Sequence, residues 1–167
     1  MNAYLSVVNQ KLFFCKLLLN QGIAEEKKPI QLELALCQSA LYQLECAYHH
    51  YLREIAATYQ FNLAESIDSV EELASALESI NKYPGEAQEI LSLLGMDGSW
   101  LGQMLSAYQQ LSLLPISESN ITRSSLIAVV EVKQDGGIPS LNYQQLNVWH
   151  KAFVEMVDRH RELMVEC

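Results

Sequence analysis

A chain of 167 residues, half of them hydrophobic, is long enough to bury a substantial core without help from a disulfide or a metal. Its formal net charge of −9 argues against a nucleic-acid surface, and no basic amphipathic stretch favours a membrane surface. No apolar run approaches the length of a membrane span, and the scarcity of glycine and proline, at seven and four residues, favours helices over a turn-rich β-fold.

The first two predicted elements are long helices. Apolar residues recur at three- and four-residue spacing over residues 3–21, and Gly22 follows as the predicted end of the first helix. Its predicted buried stripe consists of Leu5, Val8, Leu12, Cys15 and Leu19, widened by Phe14 and Leu18. The second helix is predicted from Pro29 to about Tyr59, and because it is apolar on several sides we expect it to be central.

Three shorter helices are predicted in the acidic middle of the chain, where residues 61–114 carry eight acidic residues against one lysine. Ser69 and Glu72 have the spacing of a capping box at the start of the third helix. Gly95 ends the fourth helix, and Ser99 is the predicted cap of the fifth. We expect these short helices to pack on one end or side of a bundle formed by the longer ones.

Residues 115–141 form the irregular part of the prediction. The stretch LIAVVEV, residues 126–132, is compatible with a strand, which needs a partner edge, or with an extended segment lying across the helices. The last helix has the clearest start, since Asn142 is a predicted cap with Gln145 as its reciprocal partner. Its predicted buried stripe is Leu146, Trp149, Phe153, Met156, His160 and Leu163.

These elements predict an all-α fold in a single domain over residues 1–167. The architecture is a helical bundle of about six helices with one irregular or weakly β segment before the last helix. The four cysteines form no C-x-x-C pair, and three of them lie inside helical apolar patterns, where a reduced thiol behaves as a small hydrophobic group. We therefore expect free thiols and a cytoplasmic protein.

The stretch ECAYHHYLRE offers the first candidate chemistry. Adjacent His49 and His50 diverge by about 100° on a helix, so they cannot easily share one metal ion, and Cys46 adds only an incomplete ligand set. The E-x-x-H motif of di-iron bundles is absent, and the nearby acidic residues oppose a reactive thiolate. We therefore predict ordinary helix-surface pairs, Glu45 with His49 and His50 with Glu54.

His160 is the most unusual polar residue of the last helix because its predicted position is inward. A buried imidazole needs a hydrogen-bond partner, which Tyr48, Tyr51 or a backbone carbonyl can supply. The charged residues around it, Arg159 and Arg161 among them, are predicted to be solvated.

An alternative prediction is a bundle that binds a small molecule or a metal, in the extreme case an enzyme, with its site between helix 2 and the last helix. Its weak metal-ligand candidates are Cys46, His49, His50 and His160. No nucleotide-binding loop, metalloprotease motif, nucleophile elbow or calcium-binding loop appears anywhere in the chain. We accordingly predict no catalytic residue, no cofactor and no metal, and favour a protein that is not an enzyme.

Four aromatic residues of the last two long helices form a further candidate set: Trp100, Tyr108, Tyr143 and Trp149. At helical spacing such residues usually pack inward, whereas an exposed group of them marks an interaction patch. The favoured function is a cytoplasmic interaction or regulatory module that buries a helix face against a protein partner or a second copy of itself. The acidic residues 61–114 would set its charge preference.

The stretches NQKLFF, LYQLECAYHHYLREIAATYQ, SWLGQML and VWHKAFVEMVDRHRELMVEC cover much of the chain. They resemble a family of small, uncharacterised bacterial helical proteins of unknown function. The resemblance implies a helical fold and a bacterial origin, and it assigns no catalytic residue.

Overall fold

The computed structural model describes residues 2–24, 29–113 and 141–164. These residues form six α-helices and no strand: α1 Ala3–Ala24, α2 Ile30–Thr58, α3 Val70–Ser79, α4 Gly85–Gly95, α5 Trp100–Leu111 and α6 Tyr143–Met164. The prediction of an all-α bundle of about six helices is confirmed. The weakly β segment predicted at residues 126–132 lies outside the described residues.

Helix α2 lies at the centre, as its apolar pattern predicts. α1 makes the most extensive helix–helix contact of the fold with α2, and α6 packs against α1, α2 and α5. The short helices α3 and α4 pack on each other, and they join the rest of the bundle through α2 and α5. α1 therefore lies at an edge, with α2 and α6 as its main neighbours.

Local hydrogen bonds explain why several helices begin where they do. Ser69 and Glu72 form a complete capping box, with the Glu72 N–H donating to Ser69 Oγ at 3.1 Å and the Ser69 N–H to Glu72 Oε2 at 3.3 Å. Ser99 caps α5, and Asn142 Oδ1 accepts the Gln145 N–H at 2.8 Å at the start of α6. The predicted caps of all three helices are confirmed.

The C-terminus of α2 bends the backbone into the left-handed region. Gln60 has a φ of 61°, and the Phe61 N–H donates back to the Ala56 carbonyl at 2.9 Å. This is the hydrogen-bond pattern that closes helices whose next residue is commonly glycine. Asn81 plays the same part after α3, with a φ of 56°.

The prediction that Gly22 ends the first helix is wrong. α1 continues to Ala24, and Gly22 is buried inside its last turn. The ring of Tyr143, at the start of α6, lies so close that a Cβ added to Gly22 would overlap it. The glycine is needed for the close approach of two helices rather than for a helix end.

The predicted buried stripes hold except at their margins. Val8, Leu12, Cys15 and Leu19 of α1 are buried, whereas Leu5 is exposed. In α6, Leu163 is exposed and Met164 is buried instead. Leu5 and Leu163 lie near helix ends, whereas Phe14, predicted to widen the stripe of α1, is exposed in the middle of its helix.

The cysteines of the described residues are free thiols. Cys15 of α1 and Cys37 of α2 are buried, and burial raises the pKa of Cys15 to about 12. Burial and then the charge of Glu33 raise the pKa of Cys37 to about 11. None of the helices in the described part of the chain combines the length and the apolar content needed to cross a membrane.

Candidate functional site

A row of hydrogen bonds between three helices joins the buried Tyr51 of α2 and His160 of α6 to the partly exposed Glu89 of α4. Tyr51 Oη lies 2.7 Å from His160 Nδ1, and His160 Nε2 lies 2.9 Å from Glu89 Oε2. His160 is 1% exposed, which confirms its predicted inward position, and Tyr51 is one of the partners that the sequence proposes. Because both ring nitrogens are engaged, His160 has no free nitrogen for a metal.

The charges and burial of these three residues favour hydrogen-bond donation from Tyr51 toward Glu89. Burial and nearby carboxylates raise the pKa of Tyr51 well above its ordinary value, so the phenol keeps its proton. Burial also raises the pKa of the Glu89 carboxyl, but the hydrogen bond and charge of His160 and the charge of Arg159 outweigh it, and the pKa falls below its ordinary value. In the tautomer with Nδ1 unprotonated, the phenol donates to Nδ1 and Nε2–H donates to the Glu89 carboxylate.

A second polar cluster ties α6 to α2 and α1. Glu54 is 1% exposed, and Arg161 donates to both its oxygens, from Nε at 2.7 Å and Nη2 at 2.8 Å. Arg161 Nη1 also donates to Asn9 Oδ1 at 2.7 Å. The predicted surface pair of His50 with Glu54 is thus wrong, as is the prediction that Arg161 is fully solvated, because α6 brings the guanidinium onto the buried carboxylate.

The two adjacent histidines have different surroundings. His49 Nε2 lies 2.9 Å from Glu45 Oε1, which confirms the predicted helix pair, and this hydrogen bond raises the pKa of His49. The ring of His50 stacks on Tyr4 of α1, with centroids 6.3 Å apart, and burial lowers the pKa of His50. Its Nδ1 is buried and has no hydrogen-bond partner within the described ranges.

The candidate metal ligands are not assembled into a site in the described part of the chain. No group of three or more histidine, cysteine, aspartate or glutamate side chains there could hold an ion. Cys46 is half-buried, and burial raises the pKa of its thiol, which disfavours the thiolate that metals bind.

The four candidate aromatic residues have different degrees of burial. Trp149 is buried in the core. Trp100 and Tyr108 of α5 are half-buried, and the Trp100 ring packs against Phe153 with centroids 5.9 Å apart. Tyr143 packs against α1 at Gly22. Trp149 is therefore not available to a partner, whereas Trp100 and Tyr108 keep part of their surface exposed.

An acidic groove of about 320 Å³ lies between α2, α3 and α5. Glu45, Asp68 and Glu71 line it together with Tyr108. Asp68 is paired with Arg53 at 2.6 Å and Glu45 with His49 at 2.9 Å, whereas Glu71 has no ion-pair partner among the described residues. Asp68 and Glu71 are the two acidic residues of the stretch 61–114 that line it, beside the rings of Tyr48 and Tyr108.

One exposed apolar surface was not predicted from the sequence. We call it the outward face of α1, and it is defined by Phe13, Phe14 and Leu17. These side chains lie opposite the buried stripe, and Phe14, predicted to widen that stripe, is 39% exposed. The Phe13 and Phe14 ring centroids are 6.5 Å apart. Placing the stretch LFFCKLLL on a helical wheel would have shown apolar residues on both sides of the helix.

Comparison with known proteins agrees with the resemblance found in the sequence. No curated protein and no solved structure matches the chain. The model of a family of unknown function (DUF6586) matches residues 1–167. The chain therefore belongs to this family of unknown function.

Proposed function

We propose that this protein is a non-enzymatic interaction module of the cytoplasm that pairs with a second copy of itself through the outward face of α1. The observation that carries the proposal is the exposure of Phe13 and Leu17, at 56% and 48%, on a helix whose other side is already buried. Contiguous exposed apolar residues are characteristic of protein interaction sites.

Charge supports a second copy as the occupant. With a net charge of −9, two copies repel each other over most of their surfaces. Helix α1 contains no acidic residue, and its charged residues are Lys11 and Lys16. Ser6 and Gln10, which lie on the same side of the helix as Leu17, are uncharged. Two α1 helices can therefore meet without burying a carboxylate.

The position of the aromatic pair supports a two-fold arrangement. Phe13 and Phe14 lie at the midpoint of the 22-residue helix α1. A two-fold axis through that midpoint lays α1 antiparallel on its copy and brings the aromatic pair of one protomer against the same pair of the other. A helix of this length is about 33 Å long, so the contact is small by the standard of stable dimers. We expect a dissociation constant on the order of 10 µM.

The buried polar clusters support a role without catalysis. The ring nitrogens of His160 and the carboxylate of Glu54 are engaged by side chains of this chain, and their hydrogen bonds tie helices together. The acidic groove disfavours nucleic acid and acidic partners. The free buried thiols of Cys15 and Cys37 suit a reducing compartment.

Sedimentation equilibrium over a wide range of protein concentration tests the proposal. We expect the wild-type protein to pass from monomer to dimer, and Leu17→Glu to remain monomeric with an unchanged circular-dichroism spectrum. The matched control is Leu63→Glu, which changes a similarly exposed leucine outside α1 and should still dimerise. A wild-type protein that stays monomeric at several hundred micromolar, or a Leu17→Glu variant that dimerises normally, would refute the proposal.

A further inference from the structure

A groove of about 280 Å³ runs between α1 and α6, on the side of α1 that faces α6. α1 contributes Lys16 and Asn20 to its walls, and α6 contributes Asn147, Lys151 and Glu155. The volume is near the lower end of the roughly 300–1,000 Å³ that ligand sites occupy. The groove is therefore suited to a small molecule.

The two helices that form the groove run antiparallel. At one end, Gly22 of α1 lies against Tyr143 of α6. At the other end, Asn9 of α1 accepts a hydrogen bond from Arg161 of α6 at 2.7 Å. Residue numbers therefore fall along α1 as they rise along α6, which fixes the order of the side chains in the groove.

This register arranges the polar groups in sequence along the groove. Asn20 and Asn147 lie at one end, Lys16 and Lys151 face each other in the middle, and Glu155 lies further along. Neither lysine has an ion-pair partner among the residues that the structure describes. Two ammonium groups thus outnumber the single carboxylate of Glu155 around one small volume, on a protein that is otherwise acidic.

The floor of the groove combines apolar surface with one hydrogen-bond acceptor. Leu19 and Val154 supply the apolar part. His150 is buried, and its Nε2 lies 3.0 Å from the Leu12 carbonyl oxygen, which can only accept. Burial lowers the pKa of His150, and the charges of the two lysines lower it further against the opposing effect of the carbonyl. The ring is therefore neutral with its proton on Nε2, and Nδ1 is left as an acceptor.

We infer that the groove binds a small organic carboxylate, with the carboxylate between Lys16 and Lys151 and a short apolar body on Leu19 and Val154. The lysines neutralise the anion and lose their mutual repulsion in doing so. The amides at one end add donors to the carboxylate. The apolar floor distinguishes such a ligand from an inorganic anion, because only the organic body gains from burial there.

An NMR titration of the whole chain with hexanoate tests the inference. We expect saturable shifts of backbone amides in α1 and α6, with a dissociation constant on the order of 1 mM for so small a ligand. Replacing both groove lysines (Lys16→Met with Lys151→Met) should weaken binding roughly tenfold. Glu155→Gln removes a like charge and should tighten binding about twofold. The control variant, Lys82→Met, alters an exposed lysine outside the groove and should bind as the wild type does.

Several results would overturn the inference. One is the absence of saturable shifts in the wild-type protein, and another is undiminished binding by the variant without the two lysines. If hexan-1-ol binds as tightly as hexanoate, the carboxylate does not contribute to binding. If inorganic phosphate binds as tightly as hexanoate, the apolar floor does not contribute to binding. Self-association through the outward face of α1 is measured separately, so failure here leaves that proposal standing.

Discussion

Removing the guanidinium of Arg161 should be one of the most destabilising single changes in this protein. Arg161→Met keeps the length of the side chain but leaves the Glu54 carboxylate, which is 1% exposed, without its two charge-assisted hydrogen bonds. Breaking a buried ion pair in this way costs about 3–5 kcal/mol. The Arg161 side chain is 20% exposed, which lets water reach the vacated position, so we expect about 3 kcal/mol.

Replacing Glu54 instead of Arg161 should lower the free energy of unfolding by less. Replacing both residues together should lower it least. In Glu54→Leu the arginine can turn toward solvent, for a loss of about 1–2 kcal/mol. Replacing both residues removes the buried charges together, which in other proteins is close to neutral, so we expect about 1 kcal/mol. The coupling between the two positions is then about 3–4 kcal/mol.

Urea denaturation followed by far-ultraviolet circular dichroism measures these free energies of unfolding. For a chain of this size, 3 kcal/mol corresponds to a fall in Tm of about 6–12 °C. Arg159→Met is the matched control, because its ion pair with Glu89 is exposed on both sides and should contribute less than about 1 kcal/mol. Single-variant losses that add to the double-variant loss within about 0.5 kcal/mol would refute the reasoning, since the pair would then be uncoupled.

The remaining predictions concern single positions. The pKa of His150 is lowered in the folded protein, so below about pH 6.5 the unfolded chain binds a proton that the folded ring does not bind, and stability is lost as the pH falls. His150→Gln should therefore reduce the loss of unfolding free energy between about pH 7 and pH 5. The raised pKa of His49 has the opposite sign, giving stability that is present below about pH 6.5 and lost as pH rises through the folded pKa, so His49→Gln should destabilise mainly on the acid side. Gly22→Ala should lower Tm markedly, because the new methyl group overlaps the Tyr143 ring, and equal thermal melts of variant and wild type would contradict that contact. Gln60→Gly should raise the unfolding free energy by about 0.5–1 kcal/mol in urea, because glycine adopts the positive φ at this helix end without strain.

The parts of the fold that local physics controls were predictable from the sequence. The caps at Ser69, Ser99 and Asn142 depend on side chains that bond backbone groups three residues away, so their spacing is visible in the sequence. The inward position of His160 follows from its place in an apolar stripe. The choice of Tyr51 among its candidate partners required the structure, because only the packed helices bring the two rings together.

The parts that depend on how helices meet were not predictable from one sequence. Glu54 and Arg161 are 107 residues apart, and nothing in either neighbourhood indicates the register that joins α2 to α6. The outward face of α1 was missed for a related reason. A stretch that is apolar on both sides of a helix does not show which side is buried, and this is decided by the position of α1 at the edge of the bundle.

Cys15 of α1 and Cys37 of α2 are both buried, so the rate at which they are chemically modified can be used to measure local opening of the fold. The thiolate is the form that reacts with alkylating reagents, and Cys15 and Cys37 have both a raised pKa and no solvent contact in the folded protein. Their modification must therefore wait until the helices that cover them separate, so its rate follows the free energy of that local opening. The half-buried Cys46 reacts ahead of them and supplies an internal reference for reagent activity.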